Sequence, residues 1–215
     1  MDDKTLRQDI IDELDFEPSV DSARIGVAVQ DGVVTLTGHV PNYAQKAIAE
    51  RTAQRIKGVR GIAEKLTVDF GAANPYSDED IAKRCLDALD MNIVVPLAAL
   101  KVKVQSGWVT LTGQVEWDFQ RSAAVETLRQ LRGVMGISNE VTVKPRASTI
   151  DIEQRIHSAL KRHAEVEADA VKVTVKGGEV KLEGKVSTWA DRYAVEHAAW
   201  AAPGVQSIDD RLVVA

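Results

Sequence analysis

The chain has 215 residues and a formal net charge of −5, with 45% hydrophobic and 27% charged residues, the balance of a soluble globular protein of one to three domains. That acidity speaks against nucleic acid as a partner, because displacing counterions from phosphates needs a basic surface. No apolar run approaches the roughly 20 residues that cross a bilayer, and the single cysteine, Cys85, excludes an intrachain disulfide and a cysteine-rich zinc site.

Met1-Asp2-Asp3-Lys4 lacks the basic and apolar regions of a secretory signal, so the expected location is the cytoplasm, with the periplasm as the alternative for a trimmed N-terminus. Leu6, Ile10, Ile11 and Leu14 then predict one apolar helix face. Ile25, Val27 and Val29 alternate at period two, as a half-buried strand does. Asp31-Gly32 predicts a hairpin turn, because glycine supplies the positive φ that such turns demand. The returning strand is expected to bury Val34, Leu36 and Val40. A second helix carries Ile48, Ala49, Thr52, Ala53 and Ile56, with Gly58 read as its C-terminal cap. A last strand ends in Leu66 and Val68.

The same order then recurs twice. Gly32, Gly38 and Gly58 return as Gly107, Gly113 and Gly133, then as Gly178, Gly184 and Gly204. DGVVTLTGHV at 31–40 matches SGWVTLTGQV at 106–115 and GGEVKLEGKV at 177–186. The first helix repeats as Ile81, Cys85, Leu86 and Leu89, and as Ile152, Ile156, His157 and Leu160. Ser77 with Asp80, and Ser148 with Asp151, have the spacing of N-terminal capping pairs. The expected fold class is α+β, in three tandem αββαβ modules at 1–72, 73–147 and 148–215. Each module is a three-stranded mixed sheet with two helices on one face, because a helix between the last two strands favours a parallel crossover beside the antiparallel hairpin. The short linkers at 69–74 and 144–149 keep the copies close enough to pack on one another.

The stretch GWVTLTGQVEWDFQRSAAVETLRQLRGVMGISNEVTV at 107–143, with its echoes in the other copies, resembles the BON family of bacterial osmotically inducible and nodulation proteins. The resemblance covers nearly the whole chain. It implies a non-enzymatic module that attaches to membrane surfaces or envelope polymers, often in stress protection. Its members are mostly exported, whereas this chain shows no recognisable export signal, and it brings no catalytic residues.

The residues themselves agree on chemistry. Cys85 stands where the other copies have Ile10 and Ile156, so it reads as a buried thiol rather than a nucleophile. No two of His39, His157, His163 and His197 have the spacing of a helical metal site, and no glycine-rich segment has the ending of a phosphate loop. No cofactor is expected, and no enzyme. Glu64, Asn139 and Asp210 recur at one place in the last strand and read as a bulge or strand-edge feature before a ligand set.

Two features of the middle copy point to binding. Residues 91–100 carry Ile93, Val94, Val95 and Leu97 where the more polar first copy has Pro18, Ser19, Val20 and Ser22. They fit burial against a neighbouring copy or subunit, or contact with lipid or a client protein. The outward sheet face is expected to show Lys101, Lys103, Trp108, Thr110 and Thr112, a set that first of all keeps a sheet surface soluble and blunts edge pairing, and that also suits an anionic surface. By module the net charge is −3, 0 and −2, so the middle copy is the least acidic. The expected partners are a membrane surface or a protein, with homo-oligomers as a further option. The competing reading is a cytoplasmic stress protein that holds clients or assembles with itself.

Overall fold

The computed structural model describes residues 2–71, 74–144, 152–162 and 170–214. The boundaries at 72/73 and 147/148, the Ser148–Asp151 capping pair and His163 lie outside the described residues.

The first module runs α1 (Asp3–Phe16), β1 (Ile25–Gln30), β2 (Val33–Val40), α2 (Tyr43–Gln54) and β3 (Gly61–Val68). The second runs α3 (Asp78–Met91), β4 (Leu100–Gln105), β5 (Trp108–Val115), α4 (Asp118–Arg129) and β6 (Gly136–Val143). The third runs α5 (Ile152–Leu160), β7 (Val171–Lys176), β8 (Glu179–Val186), α6 (Trp189–Trp200) and β9 (Ser207–Val214). A single 3-10 turn precedes β1 at Ser22–Arg24 and β4 at Leu97–Ala99. The sheets are ordered β1-β2-β3, β4-β5-β6 and β7-β8-β9. β1 pairs antiparallel with β2, and β2 parallel with β3; β7, β8 and β9 repeat this arrangement. The chain forms two compact units, one of residues 1–115 and 119–142, the other of 116–118 and 143–215.

Alternation along the strands puts one apolar row under the helices. Val34, Leu36 and Val40 are buried, as are Val109, Leu111 and Val115, and Val180, Leu182 and Val186. The first helix of each module adds Leu6, Ile10 and Leu14, then Ile81, Cys85 and Leu89, then Ile152, Ile156 and Leu160. Each fully buried leucine contributes about 2 kcal/mol relative to exposure. The predicted stripe was one position too wide. Ile11 is only half-buried and Leu86 is 43% exposed, because a helix rotates that position past the sheet and into the margin. Small residues in the second helix, such as Ala49, Ala53, Ala124 and Ala199, let it lie close to its sheet.

The hairpin turns have positive φ at both central positions: Asp31 and Gly32, Ser106 and Gly107, Gly177 and Gly178. This type I′ geometry matches the twist of the flanking strands. The first two turns are clamped from two sides. The Asp3 carboxylate accepts from the backbone N–H groups of Asp31 and Gly32 at 2.7 and 3.0 Å, and Asp78 accepts from Ser106 and Gly107 at 2.7 and 2.8 Å. Opposite them, the carbonyls of Gly32, Gly107 and Gly178 accept from the N–H groups of Arg60, Met135 and Gln206.

Gly38, Gly113 and Gly184 lie where β2, β5 and β8 meet the chain entering the preceding strand. A Cβ at these positions would sit 2.0, 2.1 and 2.1 Å from the carbonyl oxygens of Arg24, Ala99 and Ala170. Gly58, by contrast, is not the cap of α2: that helix ends at Gln54 with Arg55 as its cap, and Gly204 likewise lies beyond Ala201, the cap of α6. The chain makes a further turn first, with Val59 N–H donating to the Ile56 carbonyl, and the left-handed glycine redirects it into β3. The Ser77–Asp80 pair forms its capping box, and Asp2 caps α1 by accepting from Thr5 N–H at 2.9 Å.

Candidate functional site

The alternation that buries Val109 and Leu111 turns the intervening residues outward. The register places Lys101 opposite Thr112, Lys103 opposite Thr110, and Gln105 opposite Trp108. Both lysines are exposed, and Trp108 keeps 47% of its surface open. Trp108 is nevertheless fixed: its Nε1–H donates to Ser138 Oγ at 2.8 Å, across the sheet on β6. Its ring lies over Gly136, where an added Cβ would come within 2.3 Å of the ring. Gly136 and Ser138 thus form a seat for the ring that sequence reasoning missed. The available signal was a glycine at the outward-facing start of the neighbouring strand.

The loop before β4 is a separate element, so the predicted residues fall into two groups. Ile93 is 99% exposed and Val94 39% exposed, while Val95 is buried and Leu97 half-buried. Val95 takes the place that Val20 fills in the first module, and both are core side chains. Asn92 shapes the loop, donating from Nδ2 to Thr127 Oγ1 at 2.8 Å and accepting from Val94 N–H at Oδ1. Met91, at the end of α3, is 84% exposed, and Phe16 at the end of α1 is 83% exposed. Their mutual position across the repeat was legible, but their exposure was not, since helix ends look alike whether covered or open.

The outward faces of the other sheets differ. The first shows Gly26, Ala28, Val33, Thr35 and Thr37, with Val33 44% exposed. The third is charged and internally paired, through Lys181–Glu183 at 2.6 Å and Arg211–Asp209 at 2.9 Å.

Glu64, Asn139 and Asp210 lie on strands that end their sheets. Glu64 Oε1 accepts from Leu66 N–H, Asn139 Oδ1 from Val141 N–H, and Asp210 Oδ1 from Leu212 N–H. The second helix reinforces this, with Lys46 2.9 Å from Glu64 and Arg192 2.8 Å from Asp210. Lys46 Nζ also donates to the Leu66 carbonyl. These residues occupy an open strand edge with the backbone's own side chains. Beside them, burial and then the Glu64 carboxylate hold Glu50 above the usual carboxylate range. Burial and then Asp210 do the same to Glu196.

Cys85 is fully buried, and desolvation pushes its thiol up to about 11, so no thiolate forms near neutrality. Among the described residues, no group of three or more His, Cys, Asp or Glu side chains is placed to hold a metal ion, and no helix is long and apolar enough to cross a membrane. His39 Nδ1 lies 2.7 Å from Thr67 Oγ1, its partner across β2 and β3.

Three repeated αββαβ units of this geometry have a counterpart among known families. The BON domain model matches residues 2–69, 77–145 and 149–215. The chain belongs to the BON family. A curated relative in sequence is the osmotically-inducible protein Y of Escherichia coli K12, 28% identical over 148 residues, which cover 67% of this chain and 74% of that protein. Among solved structures, CdsD, a structural protein of the type III secretion system of Chlamydia trachomatis, aligns over 98% of this chain and 92% of its own at 18% identity and a TM-score of 0.25. Its C-terminal domain aligns over the full length of both at 17% identity and a TM-score of 0.26. Scores this low carry no argument about either fold or role.

Proposed function

We propose that this chain is a non-enzymatic binding protein of osmotic stress, whose linked BON modules at 1–72, 73–147 and 148–215 attach to an anionic membrane surface or envelope polymer through the middle module. The observation that carries this reading is the fixed, half-open Trp108 ring on the same sheet face as two exposed lysines, Lys101 and Lys103. An amphipathic ring suits a water–lipid or water–polymer boundary, and a lysine near an anionic surface is worth about 1 kcal/mol. Ile93 and Val94 add apolar contact from the neighbouring loop. Osmotic stress enters through the similarity to the osmotically-inducible protein Y. Weak sites on linked modules gain strength through effective concentration.

The test is flotation of the chain with anionic and neutral vesicles, and cosedimentation with acidic polysaccharide, at low and high salt. Lys101→Gln with Lys103→Gln, and Trp108→Ser, are expected to abolish salt-sensitive binding; Ile93→Ser with Val94→Ser is expected to weaken what salt leaves. No binding of the unaltered chain to either probe would reject the reading.

A second reading, a holder of partly unfolded protein clients, is favoured by the exposure of Met91 at the end of α3 and of Ile93 in the loop after it. It predicts suppressed aggregation of a reduced client and loss of that effect on Ile93→Ser.

A further inference from the structure

Two shallow grooves, each of about 480 Å³, lie between the paired helices of the first and third modules. They occupy the same place in the repeat. In the first, α1 and the turn after α2 supply Asp9, Asp12, Glu13, Phe16, Ile56 and Lys57. In the third, the equivalent positions hold Arg155, Ser158, Ala159, Arg162, Ala202 and Pro203. The fold is shared, but the chemistry is inverted. Acids stand in one groove where arginine, serine and alanine stand in the other. A phenylalanine that is 83% exposed stands where Arg162 stands. Among the described residues, neither Arg155 nor Arg162 has an acidic partner within ion-pair distance, and Asp9 and Glu13 have no basic one. In the middle module the position of Asp9 and Arg155 holds Arg84, which lies 3.9 Å over the ring of Tyr76.

We infer that these grooves are the two halves of one interface, through which the first module of one copy docks on the third module of a second copy. Phe16 enters the hollow left by Ala159, Ala202 and Pro203, and Asp9, Asp12 and Glu13 face Arg155 and Arg162. Opposite charge steers the approach and fixes the register, while the apolar floor supplies burial. The two patches differ, so the contact is heterologous. Each copy keeps an unused half, and assembly continues into chains unless the geometry closes a ring. This inference is independent of the surface-binding role and stands or falls separately.

The experiment is sedimentation velocity of the full chain from low micromolar to near-millimolar concentration, at low and high salt. Weight-average mass is expected to climb above 23.4 kDa with concentration and to fall back with salt. Two charge-reversed variants follow, Asp9→Lys with Asp12→Lys, and Arg155→Glu with Arg162→Glu. Each alone should associate about tenfold or more weakly. Mixed together they should pair again, because one unaltered interface and one doubly reversed interface become available. Phe16→Ser should weaken association without changing its salt dependence. Unaltered helical circular dichroism checks folding. A monomer at every concentration, association of the variants equal to the parent, or no pairing in the mixture would each overturn the proposal.

Discussion

Replacing Gly184 by alanine tests how closely the modules are built, and Gly177→Ala provides the control within the same hairpin. Both glycines have positive φ, 141° at Gly184 and 58° at Gly177. At Gly177 an added Cβ meets nothing within 4 Å. The expected cost there is left-handed strain alone, about 1 kcal/mol. At Gly184 the Cβ would lie 2.1 Å from the Ala170 carbonyl oxygen, with the Ala170 carbonyl carbon at 3.2 Å and Val171 Cα at 3.3 Å. Backbone cannot swing aside as a flexible side chain does. The strand must separate from the entering chain by about 1 Å, which adds about 1–3 kcal/mol of overpacking to about 1–3 kcal/mol of backbone strain. Domains of this size hold about 0.05–0.15 kcal/mol per residue, so that loss removes much of the third module's stability. Hydrogen exchange resolved by peptide reads this module by module: β7 and β8 should lose protection in Gly184→Ala, with β4 and β5 unchanged. Equal loss in the two variants would show that φ alone matters and that the close approach is not a constraint.

Asp78→Ala removes two charge-assisted acceptors from the Ser106-Gly107 turn and should cost about 1–3 kcal/mol in urea denaturation, with faster exchange at those two amides. Glu50 and Glu196 have folded-state pKa values raised above those of the unfolded chain. Their stabilising contribution is therefore full below the unfolded carboxylate pKa and is lost as pH rises through the elevated folded values. Glu50→Gln should accordingly stabilise the chain at neutral pH and flatten the fall in melting temperature between mildly acidic and neutral conditions. Cys85 should resist a thiol reagent in the native chain and react at once in denaturant, the rate tracking unfolding of the second module.

Much of the architecture was legible because three copies vote on each position. Period-two alternation identified Val34, Leu36 and Val40 and their counterparts as core, and all are buried. What escaped was mostly tertiary. Leu86 looked like stripe and lies in the margin, since a helix pattern does not say how wide the covering sheet is. Gly58 looked like a cap because a positive-φ glycine after a helix usually is one; its three-residue displacement depends on the turn of residues 55–58. The Lys101, Lys103 and Trp108 face follows from strand parity alone. The burial of Val95, two residues from the wholly exposed Ile93, does not follow from hydrophobicity, which is similar at both. It follows from the repeat, where Val20 holds the same place. The opposed grooves needed a comparison of charge between copies at helix positions facing away from the core, where a single copy shows only solvated side chains.

The edge locks made by Glu64, Asn139 and Asp210 bear on how such a chain reaches its folded state. Near-duplicate modules on one polypeptide emerge in succession, each carrying strands that fit a neighbour's sheet almost as well as their own. A strand whose outer N–H is already taken by a side chain two residues back offers an incoming homologous strand fewer free groups to grip. The lock is local, so it can form as soon as its own module does, before the next one is available to exchange with it. Duplication of a sheet-forming unit is then tolerated, because the copies remain neighbours instead of merging.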